Sequence, residues 1–108
     1  KFLTKLRELT QKHGALLFLD EIVSGFRVAL GGYQDYCNVD CDLAVFAKGI
    51  SNGLPLSVIA GKAAVMDELE RAVVSSTYSG EALSLAAAKA TLNIYREHDV
   101  IGHFYAMG

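Results

Sequence analysis

Two ionisable residues stand where apolar segments of this chain end. The run from Leu43 to Ala47 stops at Lys48, and the run from Ala15 to Leu19 is followed at once by Asp20. A lysine amine in an apolar setting loses its proton more readily and can then form an imine with a carbonyl compound. A carboxylate that faces an aromatic nitrogen holds a proton on that nitrogen. In one pocket, the two side chains would meet the requirements of pyridoxal phosphate chemistry.

In that chemistry Lys48 carries the cofactor aldehyde, and Asp20 keeps the pyridine ring charged so that the ring accepts electrons from a carbanion. Once released, the lysine amine can also move the substrate proton as a general acid and base. Each residue alone has an ordinary structural interpretation as well. Asp20 can be a turn or capping acid after a strand, and Lys48 can be a surface lysine whose stem lies on apolar atoms. The residues alone leave both interpretations open.

The apolar pattern predicts the elements that would position these residues. Continuous apolar runs indicate strands buried on both faces, and apolar residues at helical spacing indicate helices. The predicted strands span residues 15–19, 43–47 and 57–61, with a further strand starting at Val73 and Val74, and the predicted helices span 2–13, 63–71, 81–97 and 100–107. This order predicts an α/β fold with a mostly parallel sheet flanked by helices. Ligands of such sheets bind at the carboxyl ends of the strands, where Asp20 and Lys48 are expected.

The composition limits the possible functions. The chain has 108 residues, of which 52% are hydrophobic and 20% charged, so one domain with a real core is feasible. The net charge is −2 and no basic block appears, which argues against nucleic acid as the main partner. The apolar runs are too short to span a membrane. Cys37, Cys41 and three scattered histidines lack the spacing of a metal site, so reduced cytosolic thiols and no metal are expected.

Three segments of the chain carry recognisable motifs. They are Leu-Asp-Glu-Ile-Val-Ser-Gly-Phe-Arg at 19–27, Asp-Leu-Ala-Val-Phe-Ala-Lys-Gly at 42–49 with Asn-Gly-Leu-Pro-Leu at 52–56, and Ser-Thr-Tyr-Ser-Gly-Glu-Ala-Leu at 76–83. In order and spacing they resemble the aspartate, lysine and Thr-x-Ser-Gly-Asn-Pro-Leu segments of the class III pyridoxal-phosphate-dependent aminotransferases, which have fold type I. The resemblance covers nearly the whole chain.

The resemblance implies a role for four residues. Lys48 would form a Schiff base with pyridoxal 5'-phosphate, and Asp20 would pair with the pyridine nitrogen. Ile22 would pack against one face of the ring. Thr77 would reach the cofactor phosphate of the neighbouring subunit, because sites of this family lie at a homodimer interface. Residues 1–108 would then be part of the large, cofactor-binding domain, with the strand at 57–61 antiparallel to the lysine strand.

Three departures from the common family pattern narrow the subgroup. Val23 stands where many members have a glutamine that touches the cofactor hydroxyl, Ser51-Asn52-Gly53 replaces a run of glycines, and Glu81-Ala82 replaces Asn-Pro. Together they resemble glutamate-1-semialdehyde 2,1-aminomutase and its relatives, which include sugar-modifying aminotransferases. Glu81 favours a relative of the aminomutase over the aminomutase itself.

The implied function is pyridoxal-phosphate-dependent transfer of an amino group, between a small-molecule amino donor and a carbonyl acceptor or within one molecule, in a cytoplasmic enzyme. A decarboxylase or racemase on the same scaffold is one alternative, and a non-catalytic α/β module that has kept the motifs is another. The phosphate-binding turn, the ring-stacking aromatic residue and the small domain of such enzymes are expected outside this segment. The 108-residue chain alone is therefore expected to be inactive.

Overall fold

Three strands form one sheet in the structure, a computed structural model that describes residues 1–72 and 74–108. The strands are β1 (Phe18–Asp20), β2 (Leu43–Phe46) and β3 (Val58–Gly61), in that spatial order. β1 runs parallel to β2, and β3 runs antiparallel to β2. The α/β class and the antiparallel position of β3 are confirmed, and within this chain the sheet is mixed.

The described residues also contain five α-helices and two 3-10 helices. The α-helices are α1 (Phe2–Lys12), α2 (Tyr33–Cys37), α3 (Ala63–Met66), α4 (Ala82–Glu97) and α5 (Val100–Met107), and the 3-10 helices are Lys48–Ile50 and Asp67–Arg71. The helix predicted over 63–71 is therefore a short α-helix that continues as a 3-10 helix. Val74 lies in no strand, and Val73, the other residue of the predicted fourth strand, lies outside the described residues.

The longest helix, α4, begins at a side-chain cap. The carboxylate of Glu81 accepts hydrogen bonds from the Ser84 hydroxyl at 2.7 Å, from the Leu83 N–H at 2.8 Å and from the Ser84 N–H at 2.7 Å. The hydroxyl first, and then the two N–H groups, hold the pKa of Glu81 below its ordinary value. Glu81 thus satisfies donors that the first helical turn leaves free, which explains an acid at the position of departure from the family motif.

One face of the sheet carries both hydrophobic cores. Residues that pair across strands share a face, so Phe46 and Val58 point to the same side as Ala44, two positions before Phe46. The first core packs Ala44 against Leu3 of α1, and the second packs Phe46 and Val58 against Ala88 of α4. Helices α1 and α4 therefore lie on the same side of the sheet.

The opposite face is open within the described residues. Phe18 and Ile59 point to that side, with 51% and 46% of their surface exposed. The molecule is only 18 Å thick, and its radius of gyration of 15.3 Å exceeds the roughly 13 Å of a compact domain of this length. The expectation that both faces of these strands are buried is therefore wrong for this chain, because α1 and α4 both lie on the other face.

The buried carboxylate of Asp42 joins α1, the segment before β1 and the residue after β3. Asp42, which directly precedes β2, accepts hydrogen bonds from the Leu17 N–H at 2.7 Å, from Lys62 at 2.9 Å and from Arg7 at 2.6 Å. Together, and in that order of importance, these donors hold the pKa of Asp42 far below its ordinary value of 3.8. The carboxylate therefore stays charged while it ties α1 and the segment before β1 to β2.

We expect Asp42→Asn to lower the free energy of unfolding by about 3 kcal/mol at neutral pH, because the change leaves the largely buried Arg7 guanidinium without its anion. The folded pKa lies below the unfolded value of 3.8, so this stabilisation is complete well above that value, declines as the pH falls below it and is lost below the folded pKa. Urea unfolding of variant and wild-type protein between about pH 3 and pH 7 measures the difference. The exposed neighbour Asp40, changed to Asn, is the matched control. A difference that stays constant as the pH falls toward 3 would contradict the assignment.

Candidate functional site

Asp20 is the last residue of β1 and lies exposed at the carboxyl edge of the sheet. Its Oδ1 accepts the N–H of Ile22 at 3.0 Å, which closes a short turn at the strand end. Within the described residues no other hydrogen bond or ion pair involves its carboxylate. The turn expected from the ordinary interpretation is present, and the second carboxylate oxygen remains available to a ligand.

Lys48 follows β2 at the same edge. β1 and β2 are parallel with Asp20 beside Val45, so Lys48 stands three residues beyond the position aligned with Asp20. Its backbone has φ of +47°, in the left-handed region that a residue other than glycine, asparagine or aspartate enters only at a cost. Strained residues of this kind cluster at functional sites, where surrounding contacts hold them in place. The strain at an exposed lysine is a functional signal that the sequence did not contain.

The loops that follow the two strands pack against each other. Ile50, two residues after Lys48, is buried in the second core beside Phe26 of the loop after β1. The ring of Phe26 also lies 5.8 Å from that of Phe46. Gly25 fits in this contact because it has no side chain: a Cβ there would stand 2.6 Å from the Phe46 ring. The loop after β2, which contains Lys48, and the loop after β1, which follows Asp20, are therefore fixed relative to each other by buried apolar contacts.

Helices α4 and α5 also contact the loop that follows β1. The Tyr95 hydroxyl donates to the Phe26 carbonyl at 2.6 Å, and the Tyr105 hydroxyl donates to the Val28 carbonyl at 3.0 Å. The Arg27 guanidinium lies 5.2 Å from the centre of the Phe104 ring, a cation–π contact. Within the described residues Arg27 forms no ion pair, so its contact with the Phe104 ring is what positions the guanidinium.

Ile22 and Thr77, the other two predicted site residues, have different positions. Ile22 is half-buried in the turn that Asp20 closes, so it belongs to the same edge of the sheet. Thr77 lies exposed in the turn before α4. In the part of the chain that the structure describes, no hydrogen bond joins Thr77 to Asp20 or Lys48. The fold thus brings Asp20, Ile22 and Lys48 to the carboxyl edge of the sheet, and Thr77 stands on the surface before α4.

The residues at this edge fit the chemical demands of pyridoxal phosphate. The exposed Lys48 amine makes no ion pair within residues 1–72 and 74–108, and one Asp20 oxygen is likewise available. An amine and a carboxylate on neighbouring strands can meet the aldehyde and the ring nitrogen of one cofactor. The edge is open and is not a closed cavity; a cleft of about 620 Å³ lies elsewhere, on the helix-covered face near Ala44 and Ala60.

Two further findings concern metal binding and membrane-spanning helices. Among the described residues no group of three or more histidine, cysteine, aspartate or glutamate side chains could hold a metal ion. None of the described helices has both the length and the hydropathy needed to cross a bilayer.

Sequence reasoning missed Glu21, the residue between Asp20 and Ile22. Only 1% of its surface is exposed, and its carboxylate accepts the first two N–H groups of α2. A signal for it exists in the sequence. Helix α2 begins after Gly31-Gly32, with no serine, threonine, aspartate or asparagine at its N-cap position, so its free N–H groups require an acceptor from elsewhere.

The chain is similar to curated and solved proteins over most of its length. The family model described as Aminotransferase class-III matches residues 1–108. Glutamate-1-semialdehyde 2,1-aminomutase of Syntrophomonas wolfei subsp. wolfei is 42% identical over 98 residues, which cover 88% of this chain and 23% of that protein. The 2'-deamino-2'-hydroxyneamine transaminase of Streptomyces kanamyceticus is 38% identical over 96 residues, or 89% of this chain and 24% of the transaminase.

The fold leads to the same group. The crystal structure of taurine:2-oxoglutarate aminotransferase from Bifidobacterium kashiwanohense, in complex with PLP and glutamate, matches 94% of this chain and 24% of that one, with a TM-score of 0.85 and 33% identity. The chain thus spans about a quarter of the length of these relatives. The resemblance to the aminotransferases, and among them to the aminomutase, is confirmed. With its motifs in order, its lysine and aspartate at one sheet edge and its fold shared, the chain belongs to the class III aminotransferases, a family of pyridoxal-phosphate enzymes of fold type I.

Proposed function

We propose that this chain is part of the large domain of an enzyme that uses pyridoxal 5'-phosphate to transfer an amino group. The observation that carries the proposal is the placement of Asp20 and Lys48 at the carboxyl ends of two paired parallel strands. Both side chains are exposed there, and buried contacts between their loops fix their spacing. Neither feature is required of a solvated aspartate or a surface lysine.

The chain's residues would divide the work between binding and proton transfer. The Lys48 amine would hold the cofactor through its aldehyde and, when freed by the substrate amine, would take a proton from the amine-bearing carbon and return it elsewhere. The Asp20 carboxylate would keep a proton on the ring nitrogen by its negative charge. Ile22 would pack on the ring and exclude water from one of its faces. The cofactor itself supplies the electron sink for the carbanion.

The complete enzyme would act as a homodimer in which Thr77 binds the cofactor phosphate of the other subunit. The exposed position of Thr77 supports this assignment because a residue that serves a neighbouring site must lie on the surface. The substrates would be a small amino donor and a carbonyl acceptor. The similarity to glutamate-1-semialdehyde 2,1-aminomutase and to 2'-deamino-2'-hydroxyneamine transaminase supports transfer within one molecule or between two, and the donor screen separates them.

Borohydride trapping of the full-length protein tests the proposal. Protein saturated with pyridoxal phosphate and then reduced should carry a stable cofactor adduct on the peptide that contains Lys48. Incubation with a panel of amino donors before reduction should decrease the adduct and yield the oxo product of the active donor. Carbon dioxide release or racemised donor would identify a decarboxylase or a racemase. Absence of any adduct at saturating cofactor would support the non-catalytic module and refute the enzyme.

A further inference from the structure

Glu21 is a buried carboxylate whose partners are amides and a hydroxyl. Its Oε2 accepts the Tyr33 N–H at 2.8 Å, its Oε1 accepts the Gln34 N–H at 2.9 Å, and the Ser24 hydroxyl also donates to it. Within the described residues no lysine, arginine or histidine forms an ion pair with it. A buried charge is costly unless it is hydrogen-bonded, and these donors supply that compensation.

Gly32 is shaped to receive this carboxylate. It is the N-cap residue of α2 and, as a glycine, has no side chain that could cap the helix. Its φ of +82° lies in the region that favours glycine. A Cβ at this position would stand 2.6 Å from the Glu21 Oε2. Glu21 therefore supplies, from 12 residues earlier in the chain, the cap that α2 lacks.

The backbone of Glu21 is anchored as firmly as its side chain. Its N–H donates to the Val45 carbonyl of β2 at 2.9 Å, and its carbonyl accepts the Gly25 N–H at 2.9 Å. The first bond ties the Asp20 segment to the lysine strand one residue beyond β1. The second closes the turn that contains Ile22. Asp20 and Ile22, the immediate neighbours of Glu21, thus take their positions from a residue held by five hydrogen bonds.

We propose that Glu21 is a positioning residue for the cofactor: its buried carboxylate locks the Asp20–Ile22 turn so that the Asp20 carboxylate stays aligned with the ring nitrogen. This inference depends on the proposed function, since it presumes that Asp20 meets that nitrogen. Without the hydrogen bonds of Glu21, the Asp20 carboxylate is chemically unchanged but lies in the wrong place for the ring nitrogen. A misplaced carboxylate holds the ring proton less firmly, and catalysis slows without loss of substrate affinity.

The test compares variants of the full-length protein loaded with pyridoxal phosphate that is labelled with ¹⁵N in the ring. Glu21→Gln cannot accept both N–H groups of α2 and should lower kcat about 10-fold, the loss typical when a supporting partner of a ligand is removed. KM for the amino donor should stay within about 3-fold of the wild-type value. The ¹⁵N chemical shift of the ring should move toward that of Asp20→Asn, in which the nitrogen lacks its carboxylate.

Tyr33→Pro provides a milder second variant. Tyr33 is the first residue of α2, where proline is well tolerated, and the change removes one donor to Glu21 while the carboxylate remains. It should shift the ring signal in the same direction by a smaller amount, even if Glu21→Gln fails to fold. Asp35→Asn is the matched control, because Asp35 accepts the Gly31 N–H at 3.1 Å in the same region but is exposed. It should leave kcat and the ring signal unchanged.

Three outcomes separate the possibilities. A lower melting temperature with wild-type kcat and an unmoved ring signal in both Glu21→Gln and Tyr33→Pro would overturn the positioning role and leave Glu21 a helix cap. An equal shift in Asp35→Asn would also overturn it, since the effect would not be specific. If wild-type protein gives no cofactor adduct on Lys48, the proposed function fails, and that failure is seen before any variant is compared.

Discussion

Replacing Lys48 by alanine in the full-length protein is expected to lower kcat by at least about 10⁴-fold, the upper end of what one acid–base group contributes. The loss is this large because one amine serves both to bind the cofactor covalently and to carry the substrate proton. No other lysine follows β2 at the carboxyl edge within the described residues. Steady-state kinetics with the active donor, and absorbance of the bound cofactor, measure both roles.

Lys89→Ala is the matched control for this prediction. Lys89 is exposed on α4, and its removal should change neither kcat nor cofactor absorbance. If Lys48→Ala kept more than about a tenth of the wild-type activity, the loss would be far smaller than removal of an acid–base group causes. That result would exclude Lys48 as the reactive amine.

The backbone of Lys48 gives a second readout of the same position. Glycine adopts a φ of +47° without the steric penalty of a Cβ atom. Lys48→Gly should therefore be more stable to unfolding than Lys48→Ala by about 1 kcal/mol, while both variants are equally inactive. Equal stability of the two variants would show that the left-handed conformation is not present in the protein.

Asp20→Asn is expected to lower kcat by roughly 10²- to 10³-fold, within the range assigned to a single group that governs proton placement. Asparagine keeps the shape of the side chain and can still accept the Ile22 N–H, so the turn at the end of β1 survives. Only the negative charge is lost, and with it the stabilisation of a protonated ring nitrogen. The cofactor should still attach to Lys48, which separates this variant from Lys48→Ala.

The measurement is kcat together with the ring ¹⁵N chemical shift of the labelled cofactor. Asp40→Asn, at an exposed position outside the sheet edge, serves as the control for loss of one negative charge. An unchanged ring signal in Asp20→Asn would mean that another group pairs with the nitrogen, and Asp20 would then be only the turn residue of the ordinary interpretation.

Local patterns predicted the elements better than their burial. The run at 43–47 and the strand β2 (Leu43–Phe46) nearly coincide, because a strand of β-branched and apolar residues between polar ones is defined by its own sequence. The strand predicted at 15–19 begins too early, because only Phe18–Asp20 pairs with β2. The exposed side chain of Phe18 was unexpected because burial of a strand face depends on layers that the strand's own residues do not specify.

Buried charges escaped prediction for a related reason. Glu21 and Asp42 look like surface acids, since a charged residue is rarely buried. Glu21 is buried because the first N–H groups of α2 face it, and Asp42 because Arg7, Lys62 and the Leu17 N–H surround it. These donors come from at least 12 residues away along the chain, so no local pattern contains them.

By itself, the sequence determined the family and named the candidate reactive groups. Lys48 and Asp20 were identified by type, by position after apolar runs and by the motifs around them, because side-chain chemistry and strand periodicity are local properties. Only the tertiary structure decided that the two strand ends lie side by side, that Lys48 is held in a left-handed conformation and that Glu21 anchors the turn beside Asp20. Each of these depends on strand register and loop packing between distant segments, which form only when the chain folds.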